Sequence, residues 1–271
     1  MIDIHSHLLP GIDDGPRNWD DALDLCRSVV GDGIRTSVAT PHLIDGVYDN
    51  VRAVVEPLTA ELNQRLRDAG IELTVLSGAE VDFSSRHAGE DGDELPCLGT
   101  GNAVLLEMPV AVIPPAISQT IFAVLSRGGV PVIAHPERNE ILQRNPSAAA
   151  KWVREGALLQ LDGDSLLGVW RQRTQRCAET LLSAGLAHAM ASDAHSTRRR
   201  PPRLSKALQR ARELIGDSAA KLVGEGPRCI LDSRPLVHPL LDIRAGTDDG
   251  STQAIERPRG RLRRLFGRRV V

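Results

Sequence analysis

The feature that most constrains this chain is a rhythm of short β-branched or apolar runs alternating with longer helical stretches, sustained from the start to about residue 225. The runs are Met1–His5, Arg35–Ala39, Glu72–Leu76, Ala103–Glu107, Val130–Ala134, Ala157–Leu161 and Leu186–Ala191. Strands covered on both faces read as unbroken apolar runs, and joining them through helices requires parallel pairing with right-handed crossovers. Helices are expected at about Asn18–Asp32, Val51–Ala69, Pro115–Arg127, Ser147–Glu155, Ser165–Ala184 and Arg203–Val223. Glycines at 33, 70, 128, 156 and 185 supply stop signals for several of them. A chain of 271 residues suits one α/β barrel. The expected division is a barrel over 1–242 and a basic tail over 243–271.

A parallel barrel gathers the C-terminal ends of its strands at one rim, where barrel enzymes keep their active sites. Those ends carry His5 and His7, then Thr40-Pro41-His42, Gly78-Ala79-Glu80, Glu107, His135-Pro136-Glu137-Arg138, Asp162 and Ser192-Asp193-Ala194-His195. Five of the eight histidines fall there. In a strand, residues i and i+2 share a face, so Asp3, His5 and His7 are expected on one side of the first strand, with Ile2 and Ile4 on the other. His5, His7, His42, Glu80, Glu107, His135, Asp193 and His195 form a donor set too large for one ion, implying two or three divalent metals. Imidazole and carboxylate without thiolate suit Zn, Mn, Fe or Co. Closely spaced ions clamp phosphoryl oxygens and generate a water-derived nucleophile, so phosphate ester hydrolysis is the expected chemistry. Arg138 and Arg200 stand beside ligands and offer bidentate donors to phosphate. Asp14 is read as a general acid for the leaving oxygen or as a turn carboxylate preceding Gly15.

Net charge of −2 argues against a nucleic-acid-coating body, although residues 257–271 hold seven arginines. Cys26, Cys97, Cys177 and Cys229 form no C-x-x-C pair, and none has an arginine six positions on, so neither a zinc knuckle nor a thiol phosphatase cradle is expected. No run reaches the ~18–20 apolar residues of a membrane span, and the first residues do not read as a signal peptide, so the expected location is the cytoplasm. His87, His188 and His238 are read as structural or solvated, Arg198 and Arg199 as surface charges, and Asp162 and Asp164 as turn residues outside the ligand set.

The segments IDIHSHLLPGIDDG, ATPH (39–42), GAE (78–80), LLEMP (105–109), AHPERN (134–139), Q-x-x-x-x-SL (160–166) and SDAH (192–195) followed by RPP resemble the polymerase and histidinol phosphatase (PHP) superfamily over residues 1 to about 232. Within it the chain resembles the manganese-dependent bacterial protein-tyrosine phosphatases encoded with capsule and exopolysaccharide genes. The resemblance implies a distorted (β/α)7 TIM-like barrel of PHP fold and a trinuclear site on His5, His7, His42, Glu80, Glu107, His135, Asp193 and His195. Mn is the first metal implied, with Fe, Co or Zn as alternatives. The resemblance further implies that Arg138 and Arg200 hold phosphate, that Asp14 assists the leaving phenolate and that Tyr48 lies at the mouth. The implied substrate and partner is the phosphotyrosine tail of a bacterial tyrosine kinase governing polysaccharide assembly. Alternatives are a histidinol-phosphate-like small-molecule phosphatase and a non-catalytic PHP binding module. The Arg-rich tail, with Leu262, Leu265 and Phe266, is read as a solvated end or as an anchor on anionic lipid at the inner membrane face. A homo-oligomer is a further alternative.

Overall fold

The computed structural model describes residues 1–88 and 95–234. The expected boundary near residue 242, the basic tail and His238 lie outside these residues. All seven expected strands form, in the order β1 (Ile2–Ser6), β2 (Thr36–Ala39), β5 (Thr74–Ser77), β7 (Ala103–Glu107), β8 (Val130–Ala134), β9 (Leu158–Asp162) and β10 (Ala189–Ala191). Two of them continue past a break. After Thr40-Pro41 the second run resumes as β3 (His42–Ile44), and after Gly78-Ala79 the third resumes as β6 (Glu80–Asp82). A short β4 (Tyr48–Asp49) pairs antiparallel with β3, and every other strand-to-strand pairing among the described residues is parallel.

These breaks have physical causes. Pro41 brings no N–H to a ladder. At Gly78 a Cβ would lie 2.8 Å from Val38 Cγ1 and 2.9 Å from Leu98 Cδ2, so only a residue without a side chain lets the strands approach there. The result is two sheets, β1-β2-β5 and β10-β9-β8-β7-β6-β3-β4. The two residues at the first break are tied to opposite sides, Thr40 N–H donating to the Ser6 carbonyl of β1 (2.8 Å) and the Pro41 carbonyl accepting from Glu80 N–H of β6 (3.1 Å). At the other seam, Asp193 N–H donates to the His5 carbonyl and His7 N–H to that of Ala194, both at 2.9 Å. Seven strand positions thus follow one another as a distorted (β/α)7 barrel.

Helices α1 (Trp19–Gly31), α2 (Arg52–Asp68), α3 (Ile117–Ser126) and α4 (Ala149–Arg154) fall where expected. The Asn18 side chain caps α1 by accepting from Asp21 N–H, worth about 1 kcal/mol. The single helix expected over 165–184 is two helices, α5 (Gly163–Leu166) and α6 (Gln172–Ser183). Gly168, at φ +73°, turns the chain out of helical geometry between them. Beyond β10, α7 (Leu204–Ile215) gives way to 3-10 turns and α8 (Glu225–Leu231). One apolar cluster, including Ile2, Ile4, Val38, Leu98, Leu105, Val132, Ala191, Ile230 and Leu231, fills the lower interior, while a larger one lies between the strands and the surrounding helices. Among the described residues no helix is long and apolar enough to cross a membrane.

Candidate metal centre

The first strand departs from strict alternation. Its register against β2 shifts between Asp3 and Ser6, so Asp3 does not join the histidines as expected. Its carboxylate instead accepts from Ser192 N–H (3.0 Å), Ser192 Oγ (2.5 Å) and His5 N–H (3.3 Å), pinning the β1–β10 seam beneath the site. Burial lifts the Asp3 pKa to about 6 despite these bonds.

All eight expected donors converge. Glu80, buried at the head of β6, places Oε2 at 3.0 Å from His42 Nδ1, 3.2 Å from His5 Nε2 and 3.4 Å from His7 Nε2, while its Oε1 lies 2.8 Å from His135 Nε2. Asp193 Oδ1 is 3.4 Å from the Nε2 atoms of both His5 and His7. Glu107 Oε2 is 3.5 Å from His42 Nδ1. His195 Nε2 lies 3.1 Å from Asp14 Oδ1, and His42 Nε2 lies 3.5 Å from the same oxygen. Four overlapping ligand groups result: His7, Asp14, His42 and His195; His5, His7 and Asp193; His5, Glu80 and His135; His42, Glu80 and Glu107.

Divalent cations fit this donor set. His5 Nε2, His7 Nε2, His42 Nδ1 and Asp193 Oδ1 are buried without a hydrogen-bond partner, although oppositely charged atoms stand close by. Such atoms are costly unless something else satisfies them. Each of these residues belongs to at least one group whose ligand atoms all lie within 4.8 Å of one another, close enough to share an ion. Three imidazoles are also fixed from behind. His5 Nδ1 meets Gln160 Oε1 at 2.9 Å, His7 Nδ1 meets Asp13 Oδ2 at 2.7 Å and His195 Nδ1 meets the Asp193 carbonyl at 2.9 Å. A proton held on Nδ1 by each acceptor leaves the Nε2 lone pair for a cation. His135 and Asp193 adopt positive φ, 29° and 49°, conformations that cost non-glycine residues about 1–3 kcal/mol and cluster at functional sites.

Charges in the cluster are strongly coupled. Burial alone would favour neutral His5, yet the carboxylates of Glu80 and Asp193 raise its pKa to about 9. Burial opposes ionisation of Glu80 and Asp193 too, but imidazoles, and for Asp193 first of all Arg138, hold both well below the usual carboxylate range. Burial and then the charge of Glu80 push Glu107 up to about 7. A hydrogen bond with His195 holds Asp14 below its ordinary value despite some desolvation. That setting keeps Asp14 ionised, the form that binds a cation or takes a proton.

The two arginines meet the same carboxylate from its other side. Arg138 Nη1 lies 2.7 Å from Asp193 Oδ2 and its Nη2 lies 2.6 Å from Asp162 Oδ2. Arg200 Nη2 also reaches Asp193 Oδ2, and its Nη1 stands 2.9 Å from His195 Nε2. Arg198 and Arg199 are exposed. Tyr48, half-buried, stacks on His42 with ring centroids 5.9 Å apart, so it does lie against the ligand cluster. His188 accepts from Leu159 N–H and is structural, and His87 is buried instead of solvated. Burial lifts the Cys26 and Cys177 thiols to about 12, which suits inert cysteines.

Sequence reasoning passed over Asp13, Gln160, Trp170 and the second role of Asp162. Asp13 was within reach, since a carboxylate six residues after a histidine ligand in a tight Gly-containing loop is a natural imidazole orienter. Asp162 is a turn residue as expected, capping α5 through Asp164 N–H at 3.0 Å, but it also binds Arg138 and Trp170.

The pattern of the family described as "Capsular polysaccharide synthesis, CpsB/CapC" matches residues 1–232. The tyrosine-protein phosphatase YwqE of Bacillus subtilis (strain 168) is 34% identical over 241 residues, covering 87% of this chain and 93% of that protein. The putative tyrosine-protein phosphatase CapC of Staphylococcus aureus is 32% identical over 204 residues, covering 74% and 79%. Among solved structures, a chain from the crystal structures of YwqE from Bacillus subtilis and CpsB from Streptococcus pneumoniae, described as unique metal-dependent tyrosine phosphatases, superposes with a TM-score of 0.81 at 34% identity, covering 87% of this chain and 96% of that one. The phosphotriesterase homology protein of Escherichia coli shares the fold alone, with a TM-score of 0.54 at 10% identity over 85% of this chain and 98% of that one.

Proposed function

The chain belongs to the CpsB/CapC family of capsular polysaccharide synthesis, and on that premise we propose that it is a metal-dependent protein-tyrosine phosphatase acting on a tyrosine kinase that governs polysaccharide assembly. One observation carries the chemistry. Asp193 faces two imidazoles with Oδ1 and two guanidiniums with Oδ2, so a cation-holding cluster and an anion-holding pair of arginines abut across a single carboxylate. A phosphate monoester is a ligand that needs both.

In this reading His5, His7, His42, Glu80, Glu107, His135, Asp193 and His195 hold two or three divalent ions, Mn before Fe, Co or Zn, and Asp14 joins them as a ligand. The ions, when bound, supply Lewis-acid charge for the phosphoryl group and a lowered pKa for water. Gln160 and Asp13 hold His5 and His7 in the tautomer that presents Nε2. Arg138 and Arg200 orient the phosphoryl oxygens with donors that a lysine cannot match in geometry. Tyr48 borders the entrance beside His42. A carboxylate committed to a cation is a poor general acid, so with Asp14 as a ligand the leaving group departs with little protonation. A phenol of pKa about 10 does so far more readily than an aliphatic alcohol, which favours phosphotyrosine over phosphoserine. The test compares a phosphotyrosine peptide, a phosphoserine peptide and histidinol phosphate, with Mn restored after chelation. Mn-dependent release of phosphate from the first, with little from the second, is expected; preference for histidinol phosphate would show a metabolite phosphatase instead.

A further inference from the structure

Two guanidiniums of like charge meet over one indole. Trp170, between α5 and α6, has its ring centroid 4.6 Å from Arg138 Cζ and 5.5 Å from Arg200 Cζ. Its Nε1–H donates to Asp162 Oδ2 at 2.6 Å, the same oxygen that accepts from Arg138 Nη2 at 2.6 Å. Asp162 is fully buried at the end of β9 and is tied to the backbone through Asp164 N–H. The indole is therefore anchored to the barrel while remaining 39% exposed at the rim.

Left to themselves, two arginines sharing Asp193 Oδ2 would repel each other and scatter among the rotamers open to such long side chains. A π face attracts both cations, and its attraction strengthens where water is partly excluded. Arg138 is also held at two carboxylates by contacts of 2.6 and 2.7 Å, whereas Arg200 has the Trp170 ring, His195, the already shared Asp193 oxygen and, more distantly at 3.9 Å, Asp14 Oδ2. We propose that Trp170 is a positioning residue, an aromatic shelf that presets Arg138 and Arg200 for a phosphoryl group. The inference rests on the reading of this site as a phosphatase centre. It assigns the indole a role without any contact to the reacting atoms: the π face orders both guanidiniums, and the Nε1–H bond to Asp162 fixes the angle of the shelf. Preorganising the donors in this way lowers the ordering cost that phosphate would otherwise meet on binding.

The test uses the full chain loaded with Mn and measures binding of inorganic phosphate by titration calorimetry, together with kcat and KM for a phosphotyrosine peptide. Trp170→Ala is expected to weaken phosphate binding about tenfold and to raise KM by a similar factor, with kcat changed less than about threefold. Trp170→Phe keeps the π face and restores most of the affinity, its remaining deficit reporting the lost bond to Asp162. Phosphate binding by W170A equal to that of the unsubstituted protein overturns the inference. So does a raised KM with unchanged phosphate binding, which would show the indole touching the leaving phenol instead. Should alanine prevent folding, Trp170→Leu fills a comparable volume without a π face, and phosphate binding in it equal to that of W170F counts equally against the shelf. If phosphotyrosine is not hydrolysed while phosphate binding still depends on Trp170, the substrate reading fails and the shelf stands.

Discussion

The two ends of the barrel interior are buried alike and built from opposite chemistry. At the lower end Ile4, Leu98, Leu105 and Val132 are sealed from water in an apolar cluster. At the upper end His5, His7, Glu80 and Asp193 are just as deeply buried, yet several of their polar atoms have no hydrogen-bond partner. The lower end needs nothing further, because apolar groups gain on leaving water. The upper end is incomplete by the same physics, since buried polar groups must be satisfied. One end is satisfied by packing alone, and the other presents donor groups that could hold cations.

The sharpest test of this contrast pairs one substitution from each end. Glu80→Gln is expected to lower activity by more than a hundredfold, beyond the 10- to 100-fold typical of groups that merely support a ligand, with metal content falling at temperatures where the protein stays folded. Leu105→Ala should do the reverse, costing about 2–5 kcal/mol of stability while each molecule that remains folded keeps its metal and its turnover. Metal analysis, thermal melting and steady-state assays of both variants would break the comparison if their effects coincided.

A second test uses protons in place of cations. In the metal-free protein the folded pKa of His5 is raised to about 9 from an ordinary value of 6.5, burial being outweighed by Glu80 and Asp193. Protonated His5 is therefore favoured by folding; its contribution is complete below about pH 6.5 and is lost as pH rises through about 9. Chelated protein should lose on the order of 1–3 kcal/mol across that window. Metal-loaded protein should not, because ions displace the protons and bind more tightly as pH rises. Melting curves at pH 6.5 and 9, with and without Mn, check this; parallel behaviour of the two forms would contradict it.

The mildest perturbation lies one layer out. Gln160→Ala removes the acceptor behind His5 Nδ1 and is expected to weaken metal affinity tenfold or more without altering the fold. Metal titration against a competing chelator measures it.

How much was legible follows from the range of each interaction. Strands such as Ala103–Glu107 and Val130–Ala134 announce themselves because burial on both faces demands an unbroken apolar run. Once the strands are parallel, their ends must meet, so His42, Glu107 and His135 could be gathered without knowing a single distance. The breaks at Pro41 and Gly78 were harder to see, since Gly78 is explained only by the closeness of Val38 and Leu98. Least visible were the supporting partners. Gln160 stands 155 residues from His5, and nothing local in either segment signals the pairing. Trp170 looked like part of a continuous helix until Gly168 bent the chain and brought the indole over Arg138.

The seam between β1 and β10 sets an order of events during synthesis. Ser192 and Asp3 are 189 residues apart in sequence yet bonded through side chain and backbone. A ribosome making this protein releases the opening histidines long before it reaches Asp193 and His195. The nascent chain carries only part of the donor cluster, with Asp3 unmatched, until the last strand emerges to complete both. Such distant closure slows folding, and a chain arrested short of that strand is left with part of a ligand set and no means to lock it.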